Sequence, residues 1–265
     1  MGATPLDDQV VESIERATLE AVVPDRLDEL PGWLMPVFDG TVGRARCAVP
    51  LSHRMPRLDL VHRVEQVYIG QGYPPAYRLP DLPAFAPLHT DLEQRGFERQ
   101  QPTLTLHGLV SDLLRVHAGP EGDLTDVPDA QWMAMFLGPG LDPADGASRS
   151  RALSRARHTR FASVRDAQGV TLACGAAGFG HGWLSVHGMR TALEHRNRGL
   201  AGRVLLTMAQ EAARRGVARV FLQVDAGNEA ALALYRRAGL TLAWPYAYWR
   251  RSEADLFRPG AQPGT

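Results

Sequence analysis

Two strings in the last third of the chain have residue types and spacings suited to chemistry. The first is Arg196-Asn197-Arg198-Gly199-Leu200-Ala201-Gly202-Arg203, after an apolar stretch at 183–191 and opening a helical pattern over about 201–215. A strand that turns into a helix through glycine leaves backbone N–H groups uncovered at the positive end of the helix dipole, where phosphates bind. Gly199, Ala201 and Gly202 keep such a turn bare, while Arg196, Arg198 and Arg203 supply charge. A tight turn with a solvated arginine cluster fits the same residues, so this string alone does not fix its use.

The second string is Asn228-x-x-Ala231-x-x-Leu234-Tyr235-x-x-x-Gly239, in a chain with only two Asn and six Tyr. On a helix, Asn228, Ala231 and Tyr235 share one face, so a polar cap, a small residue and a phenol form one stripe. A phenol with a pKa of ~10 stays protonated at neutral pH and can donate a proton. A helix cap followed by an amphipathic tyrosine is the other reading.

The elements that must position these strings follow from periodicity. Residues 161–165 and 170–179 predict strands around a turn at 166–169, and 183–191 a third strand. After the first string's helix, with Gly216 as its stop, 217–224 predicts a short strand. A strand, helix, strand order of this length implies a parallel pair with a crossover helix. Asn228 caps a helix to residue 238, Gly239 ends it, and 241–250 predicts a last strand. In the first half the pattern predicts helices at 10–22, 60–70 and 88–95. Strands are predicted at 76–79 and 102–109, with strand-like runs in 33–49 broken at Asp39-Gly40, a hairpin turn, and at Gly43. Residues 118–129 have the composition of a linker and 138–147 that of a loop. The expected domains are 1–117 and 118–255, with a frayed tail at 256–265. Trp244, Tyr246, Tyr248 and Trp249 fit either core or pocket lining.

The run from 183 to 250 resembles the GNAT superfamily of acyl-CoA-dependent N-acetyltransferases. The resembling segments are Val186-His187-Gly188-Met189-Arg190-Thr191, Arg196-Asn197-Arg198-Gly199-Leu200-Ala201, and Leu222-Gln223-Val224 leading into Asn228, Tyr235 and Gly239. The resemblance implies an α/β fold with a mixed, mostly antiparallel central sheet flanked by helices. It implies an acetyl-CoA site in which Met189, Arg190 and Thr191 pair with the pantetheine arm. The turn Arg196 to Arg203, including Leu200, holds the pyrophosphate, Asn228 bonds near the thioester and Tyr235 protonates the thiolate. Acyl transfer also needs a neutral amine and an N–H donor for the developing oxyanion, which the end of the third strand can supply. His187 is the candidate base, directly or through water, with Glu194 and Glu229 as rivals. The implied partners are acetyl-CoA and an amine acceptor, a small molecule or a protein or peptide α-amine, with a homodimer left open. A silent CoA-binding module is the alternative from another class, disfavoured because a binder needs no acid at Tyr235.

Residues 88–106 echo 230–248 in helix, glycine and strand order. Aligning Gly96 on Gly239 puts Leu92 where Tyr235 stands, and aligning the earlier strand at 45–51 puts Ser52-His53-Arg54-Met55-Pro56-Arg57 where the phosphate turn should be. That stretch has no glycine, and Pro56 lacks an N–H. The first half therefore reads as a smaller, degenerate GNAT-like α+β domain, an arrangement similar to that of mycothiol synthase. It is expected to bind no second CoA and to wall the acceptor cleft. A fragment covering about residues 119–265, if it folds, is expected to keep some cofactor affinity and to lose acceptor turnover.

Composition bounds the alternatives. The 265 residues carry 29 basic side chains, all Arg, against 29 acidic ones, for zero net charge. Neutrality argues against a general nucleic-acid binder or a polybasic membrane protein. Cys47 and Cys174 are too few for a disulfide framework or a zinc cluster, and read as reduced packing thiols. No apolar run approaches the ~20 residues of a membrane span. The N-terminus has no signal-peptide pattern, so a cytoplasmic location is expected. No metal is expected.

Overall fold

The computed structural model describes residues 6–138 and 141–251. In the first half, α1 (Asp8–Ala21) starts at Asp7, whose carboxylate accepts the Gln9 N–H at 2.9 Å. Next come β1 (Arg26–Leu30), β2 (Trp33–Val37) and β3 (Val49–Pro50), a small antiparallel sheet. They are followed by α2 (Val61–Gly70), β4 (Ala76–Pro80), α3 (Ala86–Gln94), the long β5 (Phe97–Leu109) and the short α4 (Val110–Leu113). The second half contains β6 (Asp123–Thr125), α5 (Ala130–Ala134), α6 (Pro143–Ser154), β7 (Thr159–Arg165), β8 (Thr171–Gly180) and β9 (Trp183–Thr191). It ends with α7 (Leu200–Arg214), β10 (Arg219–Asp225), α8 (Glu229–Arg237) and β11 (Thr241–Arg251).

The large sheet has eight strands in the order β4-β11-β5-β10-β9-β8-β7-β6. Every neighbouring pair is antiparallel except β9 and β10, the parallel pair expected from the strand, helix, strand order. The mixed, mostly antiparallel α/β architecture is thus the expected one. Helix α7 buries Val204, Leu205, Met208, Ala209 and Ala212 against apolar residues of β7 to β10, such as Ala162, Ala173, Leu184 and Val220. That stripe follows the helical period, which is why the sequence revealed it.

The halves interlock. Helix α2, β4, α3 and β5 repeat the order α7, β10, α8 and β11, and a parallel bridge joins Ala48 to Tyr77 at the place matching the β9–β10 pair. Their last strands are exchanged: β5 lies between β10 and β11, and β11 lies between β4 and β5. The sheet therefore runs across the expected joint at residue 118. Both partners of β11 come from the first half, so a fragment from residue 119 would leave that strand unpaired. Helix α1 is anchored to β4 by an ion pair of Glu15 and Arg78, each 1% exposed.

Several local expectations change. Residues 138–147 are not one loop, because Asp142 accepts the N–H groups of Ala144 and Asp145 at 2.7 and 3.1 Å and starts α6 at Pro143. The linker 118–129 contributes β6, an edge strand paired with β7. Asp39-Gly40 is no tight hairpin turn, since β2 reaches β3 only across 38–48, and the Asp39 N–H is held by Asp25 at 2.8 Å. Strand β1 and helix α5 were too short for a readable period. The tail at 256–265 lies outside the described residues.

Candidate active site

Strands β9 and β10 pair from Trp183 and Arg219 as far as Val186 and Leu222. Beyond that vertex the ladder stops while both strands continue, β9 held by β8 and β10 by β5. A register shift opposite Gly175 turns β9 aside, with Gly188 at φ +59°. A Cβ at Gly188 would lie 2.9 Å from Leu153 Cδ1, so both the backbone conformation and the packing call for glycine there. The diverging strands open a cleft of about 580 Å³.

The turn after β9 forms one end of this cleft. Asn197 and Gly199 adopt left-handed conformations, at φ +61° and +76°, and no side chain caps α7. The helix makes its first bond from the Arg203 N–H to the Gly199 carbonyl at 3.1 Å. The N–H groups of Leu200, Ala201 and Gly202 are thereby left at the positive end of a fifteen-residue helix, a site fitted to a phosphate. Arg196, Asn197, Gly199, Leu200, Ala201 and Gly202 all line the cleft. Two expected residues do not line it: Arg203 donates to the Glu121 carbonyl at 2.9 Å, and Arg198 lies 3.4 Å from Nδ1 of His195, itself a lining residue.

Met189, Arg190 and Thr191 line the cleft along β9. On the opposite wall, Asn228, Ala231 and Tyr235 share the expected face of α8. Asn228 accepts the Ala231 N–H at 3.1 Å, which fixes the start of the helix. Tyr235 is 6% exposed, and burial pushes its phenol up to about 12. Its hydroxyl has no hydrogen-bond partner among the described residues.

His187 is the first residue of β9 past the vertex. It is 2% exposed, lines the cleft and has no partner for either ring nitrogen among the described residues. Burial, with Arg44 nearby, holds its pKa well below the usual imidazole range, so the ring is neutral at pH 7. Glu194 and Glu229, the rival bases, are exposed and do not line the cleft.

The first half contributes a wall of the cleft, as expected of it, but through residues that the sequence does not single out, and α6 adds Arg149 and Leu153. Thr41, Val42, Gly43 and Arg44 reach the cleft from the segment after β2, and Gln101 and Thr103 from β5. Thr41 ties this segment to α6 by bonds to Asp145 (2.6 Å) and Ser148 (2.9 Å). Arg44 donates to Gln223 Oε1 at 3.1 Å. Nothing local marks Arg44, because its partner lies on a distant strand. Tyr246 and Tyr248 are buried yet line the cleft, whereas Trp244 and Trp249 belong to the core. Both cysteines are buried and free, and burial pushes the Cys174 thiol up to about 12. Among the described residues no cluster of His, Cys, Asp or Glu is placed to hold a metal, and no helix is long and apolar enough to cross a membrane.

A mostly antiparallel sheet opened by one parallel pair, with an uncapped helix start at the opening, is the architecture of a GNAT-type acyltransferase. The chain belongs to the family described as "Probable histone acetyltransferase Rv0428c C-terminal", which it matches over residues 10–249. Its structure is similar to that of a GCN5-related N-acetyltransferase from Kribbella flavida, at 18% identity and TM-score 0.65 over 93% of this chain and 98% of that one. A functionally unknown conserved protein from Staphylococcus epidermidis shares the fold at 10% identity and TM-score 0.63, over 87% and 94% of the two chains. A tandem GNAT protein from the clavulanic acid biosynthesis pathway does so at 14% identity and TM-score 0.55, over 93% and 96%. No curated protein matches the sequence. The protein is a GNAT acyltransferase.

Proposed function

We propose that the protein transfers an acetyl group from acetyl-CoA to the nitrogen of an amine, in the cleft between β9 and β10. The observation that carries this reading is the uncapped start of α7 opening into the same cleft as the unpartnered Tyr235 hydroxyl. The N–H groups of Leu200, Ala201 and Gly202, with Arg196, Asn197 and Gly199, would hold the pyrophosphate. Met189, Arg190 and Thr191 would hold the pantetheine arm by their backbone, and Asn228 would bond near its end.

Acetyl-CoA supplies an acetyl group on a thioester, whose C–S bond breaks as the amine's N–C bond forms. Tyr235 donates its phenolic proton to the departing sulfur and recovers one from solvent. With a pKa near 12 the phenol is fully protonated at neutral pH, so the donor is always loaded. A backbone N–H near the end of β9 stabilises the oxyanion. His187 is too weak a base to store the amine's proton, because its imidazole resists protonation. It accepts a hydrogen bond from the amine or a water, which orients the nucleophile while the proton leaves through solvent.

Release of CoASH from acetyl-CoA in the presence of a panel of amines tests this reading, with acetyl-CoA binding followed separately by calorimetry. Binding with amine-dependent release supports it. Binding without release for any amine would leave a CoA-binding module in its place.

A further inference from the structure

The charges around the vertex bear on what the acceptor carries besides its amine. Five arginines line the cleft, Arg44, Arg149, Arg190, Arg196 and Arg237, against one acidic residue, Asp225. Arg196 belongs to the phosphate turn, and Arg149 is paired with Asp145 at 2.6 Å. Arg44 and Arg190 meet no carboxylate among the described residues.

Arg44 lies at the vertex, away from the phosphate turn. Its guanidinium rests on the neutral Gln223 Oε1 at 3.1 Å, and Gln223 directly follows Leu222, the last β10 residue paired with β9. The carboxylate whose field it shares, Glu15, is already engaged by Arg78. Arg44 is brought there by Gly43, where a Cβ would lie 2.7 Å from Tyr248 Cε1 and 2.5 Å from Arg250 Nη2. Arg190 stands on the same face of the sheet as His187, because their cross-strand partners Cys174 and Ala176 belong to one core cluster. Its Nε is buried without a partner among the described residues. A guanidinium half withdrawn from water and lining an open cleft, with no ion-pair partner among the described residues, is a receptor for a forked anion. A lysine-rich peptide or a polyamine would instead meet five arginines here, with Asp225 the one carboxylate lining the cleft among the described residues.

We propose that the acceptor is a small amine that also carries a carboxylate or a phosphate, and that Arg44 holds this anion at the vertex while the amine faces the acetyl group. This inference rests on the acetyltransferase reading, since it assigns the other end of the cleft to CoA. Arg190 supplies a second positive charge on the same face. The transfer itself is unchanged.

The test uses the full chain with CoA titrated first, then acetate, inorganic phosphate or a lysine-rich peptide added at constant ionic strength, with the melting temperature followed. The wild-type protein saturated with CoA should show a saturable rise with acetate or with phosphate, whichever matches the acceptor's anion, and none with the peptide. Arg44→Gln should weaken that anion's binding by about tenfold or more, whereas Arg44→Lys should retain most of it. In turnover, the preference for phenylalanine over phenethylamine, or for glucosamine 6-phosphate over glucosamine, should fall by a similar factor in Arg44→Gln. The proposal is overturned if neither anion binds, if Arg44→Gln binds it as the wild type does, or if the peptide binds in preference. The anion titrations are repeated without CoA, so a wild-type protein that ignores CoA but still distinguishes Arg44→Gln would sink the acetyl-CoA reading and not the anion site.

Discussion

Leu92 occupies in the first half the place that Tyr235 occupies in the second, each four residues before a glycine in the left-handed region, Gly96 at φ +78° and Gly239 at φ +77°. Leu92 is fully buried in the core beneath β4 and β5 and has no proton to give. The turn that would match residues 196–199 is occupied from within: Asp8 at the start of α1 accepts the Ser52 hydroxyl at 2.7 Å and the His53 N–H at 2.9 Å. An internal carboxylate thus uses the donors that an incoming phosphate would need.

It follows that calorimetry should find one acetyl-CoA per chain. Asp8→Ala should lower stability by about 1–3 kcal/mol through the stranded donors, without creating a second site. Two equivalent sites in either protein would contradict the assignment of the first half.

Gly199→Val should weaken acetyl-CoA binding. The Cβ position itself is open, 3.6 Å from His117 Cε1. The φ of +76° is strained for a β-branched residue, by about 1–2 kcal/mol or more, so the turn must change shape. An unchanged dissociation constant would place the pyrophosphate elsewhere.

How much was legible beforehand follows from where the interactions lie in the chain. The crossover α7, the parallel pair and the stripe Asn228, Ala231, Tyr235 are written locally, in periodicity, caps and glycines. The exchange of β5 and β11 joins segments separated by more than a hundred residues, and no local pattern records which strand fills a gap. For the same reason Arg44 and Thr41 were invisible as site residues, while Arg198 and Arg203 looked like site residues because they flank a glycine. Neither lines the cleft, and their contacts with His195 and Glu121 are ones that spacing cannot show.

A chain beginning at residue 119 should fail to fold. It lacks β5 and β4, so β11 has no partner and β10 loses one edge. Circular dichroism and denaturant titration should show no cooperative transition. A transition comparable to that of the full chain would mean the exchanged strand is dispensable.

Acid should destabilise the protein through His53 before its carboxylates titrate. Burial holds this imidazole down at about 4, Asp8 pulling it up and Arg78 pushing it down. An unfolded histidine titrates near 6.5, so between pH 6.5 and 4 the unfolded chain takes up a proton that the folded one refuses. Stability is full above about 6.5 and falls through that window by on the order of 3 kcal/mol. The Asp8 carboxyl, which burial would raise, is held below its usual range by the Ser52 hydroxyl and the backbone N–H groups, and adds a further loss at lower pH. Urea midpoints for His53→Leu should flatten between pH 6.5 and 4, although His187 remains in both proteins. An unflattened profile would show that His53 is not the group responsible.

The most direct test of the acetyl-transfer account is the single-turnover rate of Tyr235→Phe, with its acetyl-CoA dissociation constant measured on the same preparation. The substitution removes one oxygen whose hydroxyl has no partner among the described residues, so stability and acetyl-CoA affinity should stay close to those of the wild type. The rate of CoASH formation should fall by about 10²–10⁴-fold, the usual effect of losing a general acid. In the wild type, ionisation of a phenol near 12 should cause no loss of rate up to about pH 10. A Tyr235→Phe protein that binds acetyl-CoA and turns over at the wild-type rate would contradict the account.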